Sequence, residues 1–199
     1  MVTIVRHGNT FDSAEPVRRI GARTDLPLVV SGHEQARALG MAFAGQGLTF
    51  DRALAAPLLR TRSTSEVILA CQSQPPAIES ADWLTEVDHG PDEGMPESCV
   101  LARIGRDALA AWDAHALAPE GWIVDADRRT EGWSGLLRTG RGHVLIVTSN
   151  GAARFALLSD HALRSQASRL PSLKLRTGAY GIIARDHGAL RLVAWDQRP

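Results

Sequence analysis

Residues 143–151 read HVLIVTSNG, an almost unbroken β-branched and apolar run that turns polar at its end. Such a run is typical of a strand that is buried on both faces of a sheet, which we predict at 143–148. The residues that follow, 152–161, are rich in alanine and helical in composition. Although Asn150-Gly151 by itself favours a hairpin turn, this composition predicts a helix that opens at Gly151.

Two more predicted strands end in a similar way. The β pattern Val2-Thr3-Ile4-Val5 breaks into the polar stretch Arg6-His7-Gly8-Asn9-Thr10, in which glycine and asparagine indicate a loop. A second short apolar run, at 52–56, precedes Pro57, which suits the first turn of a helix extending to about Ala70. Each strand therefore leads directly into a polar loop or a helix.

The rest of the chain supplies further helices and a hairpin. Helices are predicted at residues 31–48, 97–116 and 125–139. Ser31 is the expected N-cap of the first of these, with Glu34 completing a capping box. A strand is predicted at 77–84, and two more, at 181–185 and 189–195, flank a short glycine-containing loop that suits a hairpin.

Strands that alternate with helices predict an α/β fold: a three-layer sandwich with a mostly parallel central sheet, helices on both faces and a C-terminal antiparallel hairpin. On such sheets, ligands bind at the carboxyl ends of the strands. The polar clusters at 6–10, after Pro57 and at 149–151 all fall on that edge. The length of 199 residues suits one domain, which we place at residues 1–199.

The composition restricts the classes of function. Lys+Arg and Asp+Glu both number 22, so no net charge would attract nucleic acid or an anionic membrane. No apolar stretch is long enough to span a membrane and no secretory signal is recognisable, so we expect a cytoplasmic protein. We interpret Cys71 and Cys99 as reduced thiols. Because the net charge is zero, any binding of anions must depend on a local group of basic side chains.

Arg6-His7-Gly8-Asn9-Thr10, placed after an N-terminal strand, resembles the Arg-His-Gly-x-Thr signature of the histidine phosphatase superfamily, the phosphoglycerate-mutase-like proteins. Three further segments come in the order and spacing of that family. They are the loop and helix at 26–40, the segment at 56–64 and the loop at 84–94. The resemblance spans most of residues 1–160 and implies phosphoryl-transfer chemistry.

The resemblance also implies roles for individual residues. It makes His7 the nucleophile, and Arg6 and Arg60 the arginines that bind the phosphoryl group. It makes Glu86 the general acid. The residues alone do not say whether Arg60 or its neighbour Arg62 faces the site, nor which acidic residue of the loop at 84–94 acts.

These residue types suit phosphoryl transfer without a metal ion. A neutral imidazole can attack phosphorus through one nitrogen when the other is held as a donor, which gives a phosphohistidine intermediate. Guanidinium groups match the charge and geometry of the phosphoryl oxygens, and Asn9 and Thr10 add neutral polar groups. A carboxylic acid can protonate the leaving oxygen if burial or negative charge raises its pKa, as we expect for Glu86. No metal and no cofactor are predicted.

The chain departs from the family pattern after the strand at 143–148. The family has a second histidine there, followed by glycine, whereas this chain has Asn150-Gly151. An asparagine offers a neutral donor, and losing a charge-assisted bond to a transition-state oxygen costs on the order of a hundredfold in rate. Gly151 opens a helix whose amides are expected to face the anion. Arg154 and His89 are candidates for supplying the missing charge.

Together these patterns predict a metal-independent phosphomonoester phosphatase that acts through phosphohistidine on a small phosphorylated substrate. Two alternatives stay open: a catalytically weakened phosphate-binding or regulatory protein on the same fold, and a phosphomutase. Specificity is expected to come from the loop at 10–30 and from residues 97–138, where the resemblance is weakest. The sequence defines neither the individual substrate nor the oligomeric state.

Overall fold

The apolar run at 143–148 forms a strand inside a six-stranded sheet in the computed structural model, which describes residues 1–199. The strands are β1 (Val2–Arg6), β2 (Arg52–Ala55), β3 (Ile78–Ser80), β4 (Val144–Thr148), β5 (Tyr180–Asp186) and β6 (Ala189–Gln197). Their order in the sheet is β3-β2-β4-β1-β5-β6. The first four in this order are parallel, while β5 pairs antiparallel with both β1 and β6. The predicted mostly parallel sheet with a C-terminal antiparallel hairpin is confirmed.

Helices cover both faces of this sheet. They are α1 (Val30–Gly45), α2 (Leu59–Leu69), α3 (Glu97–His115), α4 (Ala126–Thr139), α5 (Asn150–Leu158) and α6 (His161–Ala167). Successive residues of a strand point to opposite faces, so Val5 packs with Phe43 of α1 and Ile68 of α2. Ile4 packs on the other face, in a larger cluster that includes Trp133 of α4. The predicted three-layer α/β sandwich is confirmed.

Some element boundaries differ from the predicted ones. The first helix begins at Val30 and has no side-chain cap, so the prediction of Ser31 as its N-cap is wrong. The Ser31 hydroxyl instead accepts a hydrogen bond from Asn9 Nδ2 at 3.3 Å, because the loop after β1 lies against this first turn. The strand β3 ends at Ser80, short of the predicted end at Leu84, because the chain turns into a short 3₁₀ helix that buries Leu84.

The segment after β4 is helical, as predicted, and a hairpin turn at Asn150-Gly151 is excluded. The helix begins at Asn150 and ends at Leu158. The chain then starts α6 at His161, because the side chain of Asp160 accepts hydrogen bonds from the first amides of a new helix. None of the six helices combines the length and the apolar character that crossing a bilayer requires.

Neighbouring strands bring the site loops together at the carboxyl edge of the sheet. Arg6 at the end of β1 pairs with Thr148 at the end of β4, so the residues that follow, His7 and Ser149, leave the sheet side by side. The strand β2 pairs with β4 on its other side and delivers α2 to the same edge. The sheet register alone therefore gathers three of the predicted site segments.

The loop after β1 packs backbone to backbone against the first turn of α1. A Cβ on Gly32 would come within 2.2 Å of the carbonyl oxygen of Asn9. A Cβ on Gly8 would come within 2.3 Å of the carbonyl oxygen of Gly32. Both positions must be glycine for the loop that carries His7 to lie this close to the helix.

We expect Gly32→Ala to destabilise the protein by about 1–3 kcal/mol, because its methyl group forces two backbone segments apart. Gly45→Ala on the same helix is the matched control, since a Cβ there meets no atom within 4 Å and alanine favours a helix over glycine. Urea unfolding of both variants measures the difference in stability. Equal stabilities would contradict the close packing of the His7 loop.

Candidate active site

A cavity of about 840 Å³ opens at the carboxyl edge of the sheet. Its walls come from the loop after β1, the loop before α3, the start of α5 and the C-terminal segment. Most of the predicted site residues line it, namely Arg6, His7, Asn9, Thr10, Glu86, Asn150 and Gly151. Arg60 is fully buried and lies behind this wall. The structure therefore brings seven of the predicted site residues to the wall of one cavity, with Arg60 behind that wall.

His7 follows the last residue of β1 and is almost completely buried, with 3% of its surface exposed. Its Nδ1 lies 2.8 Å from the carbonyl oxygen of Gly8, so Nδ1 carries a proton and donates it to that oxygen. This arrangement leaves the lone pair of Nε2 free. Burial lowers the pKa of His7 well below its ordinary value, and the charges of Arg60 and Arg6 lower it further. The imidazole is therefore neutral at neutral pH, as a nucleophile requires.

Two guanidinium groups stand near this imidazole, that of Arg60 fully buried and that of Arg6 partly buried. Arg6 donates from Nη1 to the carbonyl oxygen of Leu175 at 2.9 Å. Arg60 donates to the carbonyl oxygens of Thr24 at 2.5 Å and Gly21 at 3.1 Å. The Nε atoms of both arginines are buried and have no hydrogen-bond partner. Burial lowers the pKa of both, but arginine keeps its charge. Arg6 lines the cavity and can donate directly to an anion there, whereas Arg60 lies behind the wall and adds its positive charge from that position.

Glu86 is 6% exposed and is held by two backbone amides. Its Oε1 accepts a hydrogen bond from the Val87 amide at 2.8 Å, and its Oε2 accepts one from the Gly151 amide at 3.0 Å. Burial raises the pKa of Glu86, but His89, the two amides and Arg129 lower it, and the pKa ends below its ordinary value. The expectation of a raised pKa is therefore corrected, because charges and amide donors outweigh burial.

The first turn of α5 binds this carboxylate. The Gly151 amide, which we expected to face a bound anion, donates to Glu86 instead. A Cβ on Gly151 would come within 2.0 Å of Glu86 Oε1, so only glycine leaves room for the carboxylate. The positive end of the helix dipole adds to the stabilisation of the ionised acid. Gly151 thus fixes the position of the predicted general acid.

Asn150 presents a defined amide group to the cavity. Its Oδ1 accepts a hydrogen bond from the Leu175 amide at 2.9 Å, which fixes the orientation of the side chain because only the oxygen can accept. Nδ2 is therefore left as a neutral donor. Asn9 and Thr10 also line the cavity, although Asn9 Nδ2 donates to the hydroxyl of Ser31.

The two candidates for supplying a further positive charge differ in position. Arg154 is fully buried and lies outside the cavity wall. Its guanidinium stacks on the Trp112 ring, with 4.1 Å to the ring centroid, and its Nε donates to the carbonyl oxygen of Asn150 at 3.3 Å. Burial lowers its pKa to about 10. Arg154 therefore packs behind the site, and only His89 of the two candidates lines the cavity.

The sequence did not reveal several residues of this site. Arg129 of α4 is buried and donates to the carbonyl oxygens of Thr85 and Glu86, so it holds the loop that carries the predicted acid. Five basic side chains at the cavity wall were also missed: Arg18, Arg19, Lys174, Arg176 and Arg198. They lie in irregular segments or near the C-terminus, where no periodic pattern or motif distinguishes them. No three His, Cys, Asp or Glu side chains are grouped so as to hold a metal ion.

Acid is expected to destabilise the protein through His7. Its pKa in the folded protein lies below the unfolded value, so below about pH 6.5 the unfolded chain binds more protons and stability falls as pH falls. His7→Asn keeps an amide donor near the Gly8 carbonyl and cannot titrate. We expect this variant to lose less stability than the wild type between about pH 7 and pH 5.

Urea unfolding across this pH range measures the effect. His33 is exposed on α1, so His33→Asn serves as the control and should follow the wild type. The same pH dependence in His7→Asn and the wild type would contradict a buried neutral imidazole.

Comparison with known proteins identifies the family to which the chain belongs. Residues 2–198 match the model of the histidine phosphatase superfamily, branch 1. A 2,3-bisphosphoglycerate-dependent phosphoglycerate mutase of Rhizobium etli is 30% identical over 113 residues, which are 56% of this chain and 53% of that protein. The match therefore spans about half the length of that relative. A mutase of the same description from Brucella canis is 27% identical over 164 residues, 79% of each chain.

Solved structures share the fold at low sequence identity. A mycobacterial glucosyl-3-phosphoglycerate phosphatase superposes with a TM-score of 0.78 at 18% identity and covers 100% of this chain and 99% of its own. The alpha-ribazole phosphatase of Shigella flexneri superposes with a TM-score of 0.72 at 20% identity, covering 99% and 96%. Because the family model matches almost the whole length, this chain belongs to branch 1 of the histidine phosphatase superfamily.

Proposed function

We propose that the chain is a metal-independent phosphomonoester phosphatase that forms a phosphohistidine on His7. The observation that carries the proposal is the buried neutral imidazole, whose Nδ1 donates to Gly8 and whose Nε2 is free beside two guanidinium groups. Membership of the superfamily supports this class of reaction, as do the phosphatases among the proteins with a similar fold.

In the first half of the proposed reaction, Nε2 of His7 attacks the phosphorus of a phosphomonoester. A P–N bond forms and the P–O bond to the alcohol breaks, while Arg6 and Arg60 stabilise the charge on the phosphoryl oxygens. Glu86 gives its proton to the leaving oxygen. Because its pKa lies below the ordinary value, Glu86 must gain that proton as the substrate binds, when the phosphoryl dianion beside it raises the pKa.

In the second half, a water molecule attacks the phosphorus of the phosphohistidine. Glu86, now ionised, takes one proton from this water, the P–N bond breaks, and inorganic phosphate leaves. The electron pair of that bond returns to Nε2, so His7 is neutral again. The amides of Val87 and Gly151 suit this half of the cycle, because they stabilise the carboxylate that acts as the base.

In this proposal, Asn150 takes the place of the second histidine of the family. The Leu175 amide holds its Oδ1, which leaves Nδ2 as a neutral donor for a phosphoryl oxygen. A neutral donor stabilises the developing charge less than an imidazolium does, by about tenfold to a hundredfold in rate. The site is therefore expected to work below the rate that a second histidine would allow.

A phosphomutase is the second candidate, and the curated relatives from Rhizobium etli and Brucella canis favour it. A mutase would use the same transfer to His7 and would then pass the phosphoryl group to a hydroxyl group of a substrate instead of to water. The two candidates differ only in this acceptor. Release of inorganic phosphate without added acceptor distinguishes them.

Hydrolysis of p-nitrophenyl phosphate in the presence of EDTA tests the proposal. We expect the wild type to be active and His7→Ala to lose at least about a thousandfold in kcat/KM, because the nucleophile is removed. Asn150→His is expected to gain about tenfold or more, because it restores a charged donor. His33→Ala, which changes an exposed histidine, should match the wild type.

Activity that is lost with EDTA, or that survives His7→Ala, would contradict a metal-free phosphohistidine route. If the wild type and Asn150→His are both inert while vanadate still raises the melting temperature, the phosphate-binding alternative replaces the enzyme.

A further inference from the structure

The C-terminal segment, residues 174–198, gives the cavity a purely basic side. Its contribution to the wall is three cations and one hydroxyl group, without an acidic residue: Lys174, Arg176, Arg198 and Thr177. The acidic residues of the wall come from elsewhere, namely the loop after β1, the loop before α3 and the start of α3. The proposed reaction uses none of these three cations.

This basic side adjoins the phosphoryl site through Leu175. The Leu175 amide donates to Asn150 Oδ1 at 2.9 Å, and its carbonyl oxygen accepts from Arg6 Nη1 at 2.9 Å. Leu175 is buried, whereas Lys174 and Arg176 on either side of it are exposed. Two cations therefore flank a residue that binds both Arg6 and Asn150.

Carboxylates that lie outside the wall hold two of these cations in place. Asp113 Oδ2 is 2.6 Å from Lys174 Nζ. The Asp196 side chain accepts hydrogen bonds from the amide and from Nε of Arg176, both at 2.7 Å, and its carbonyl oxygen accepts one from Nη2 at 3.0 Å. Neither Asp113 nor Asp196 lines the cavity. The Arg176 guanidinium is therefore fixed at the wall with Nη1 available to a ligand.

Arg198 completes the group, and a carbonyl oxygen holds it instead of a carboxylate. Its Nη2 donates to the carbonyl oxygen of Thr177 at 3.0 Å. The next residue, Gly178, directs its amide at the carbonyl oxygens of Arg6, at 3.3 Å, and His7, at 3.2 Å. Arg198 therefore stands one peptide unit from the backbone that carries the proposed nucleophile. Burial lowers the pKa of Arg6, and the charge of Arg198 is among those that lower it further.

This charge distribution suits an anionic ligand. Cations that gather without a counter-charge on the cavity side repel one another, and an anion between them relieves that repulsion. Guanidinium groups match the geometry of carboxylate and phosphate oxygens. In the proposed reaction the phosphoryl group binds beside His7 and Arg6, and a cavity of about 840 Å³ has the size that holds a whole small-molecule ligand. The same ligand can therefore place a second anionic group on the basic side.

We propose that Lys174, Arg176 and Arg198 form a subsite for a second oxyanion of the substrate. The substrate is then a phosphomonoester whose leaving group carries a carboxylate or a second phosphate group. The subsite binds and orients this leaving group and takes no part in the transfer of the phosphoryl group. This inference rests on the proposed function, since it names the substrate class of the same site.

Binding of phosphonates, which are not hydrolysed, tests the subsite without any need for turnover. Alkylphosphonates of two to four carbon atoms are compared by calorimetry with analogues of the same length that end in a carboxylate or in a second phosphonate group. We expect at least one doubly anionic series to bind about tenfold more tightly than the alkyl series. The series that gains distinguishes a carboxylate from a phosphate as the second group. Equal affinities at every length would overturn the proposal.

Arg198→Gln and Lys174→Gln show whether the gain in affinity comes from these cations. Both side chains are exposed, so both variants should fold. In each variant we expect the advantage of the doubly anionic ligand to fall about three- to tenfold, while the affinity for the alkylphosphonate changes less than about twofold.

Arg191→Gln is the matched control, because Arg191 is exposed on β6 outside the cavity wall and its substitution removes the same charge. It should keep the full advantage of the doubly anionic ligand. The same loss in Arg191→Gln, or no loss in the two wall variants, would contradict the subsite.

These measurements separate the failure of the subsite from the failure of the proposed function. Tighter binding of the doubly anionic ligands by a protein that does not hydrolyse phosphomonoesters would support the subsite and contradict the phosphatase. Hydrolysis through His7 with equal affinities for all the phosphonates would do the reverse. Absence of binding of every phosphonate would contradict the subsite at any rate of hydrolysis.

Discussion

Two guanidinium groups, that of Arg60 fully buried and that of Arg6 partly buried, stand beside a neutral imidazole at the carboxyl edge of the sheet. Burying a charge is costly unless hydrogen bonds satisfy it, and here backbone carbonyls accept hydrogen bonds from the Nη atoms, while both Nε atoms are left without a partner. Arg6 is held by Leu175, and Arg60 is held by Thr24 and Gly21. These bonds fix the long loop after β1 and the C-terminal segment around the cavity. Burial lowers the pKa of His7 and the charges of Arg60 and Arg6 lower it further, so the arginines both shape the site and help to keep the proposed nucleophile unprotonated.

The proposed acid is fixed by a different kind of interaction. Glu86 binds the first turn of α5 through the Gly151 amide, and Arg129 of α4 holds the backbone of its loop. Glu86 is therefore ionised where it stands, and its proton must arrive together with the phosphoryl dianion. In this account, binding of the phosphoryl group sets the protonation state that the reaction uses.

Much of the fold could be predicted from local patterns. The apolar run of β4 and the helical composition after it correctly indicated a parallel strand followed by α5. The sequence suggested a cap at Ser31, and its absence could not be foreseen. The hydroxyl of Ser31 instead accepts a hydrogen bond from Asn9, in a loop that is distant in sequence.

Part of the candidate site could likewise be predicted from the sequence, and part of it could not. The motif around His7 identified the residues at the end of β1, since they are contiguous in sequence. The pKa of Glu86 could not be predicted, because it depends on the Gly151 amide, which is 65 residues away along the chain.

The central claim is that the phosphoryl group is transferred to His7, and a quenched labelling experiment tests it most directly. The protein is mixed with a phosphomonoester that carries a radioactive phosphoryl group, quenched in alkali, where phosphohistidine is stable, and digested for peptide mapping. Glu86→Gln is run in parallel, because loss of the base should slow hydrolysis of the intermediate and raise its amount. The account predicts label on the peptide that contains His7. Release of labelled phosphate with no labelled His7 peptide in either protein would contradict it.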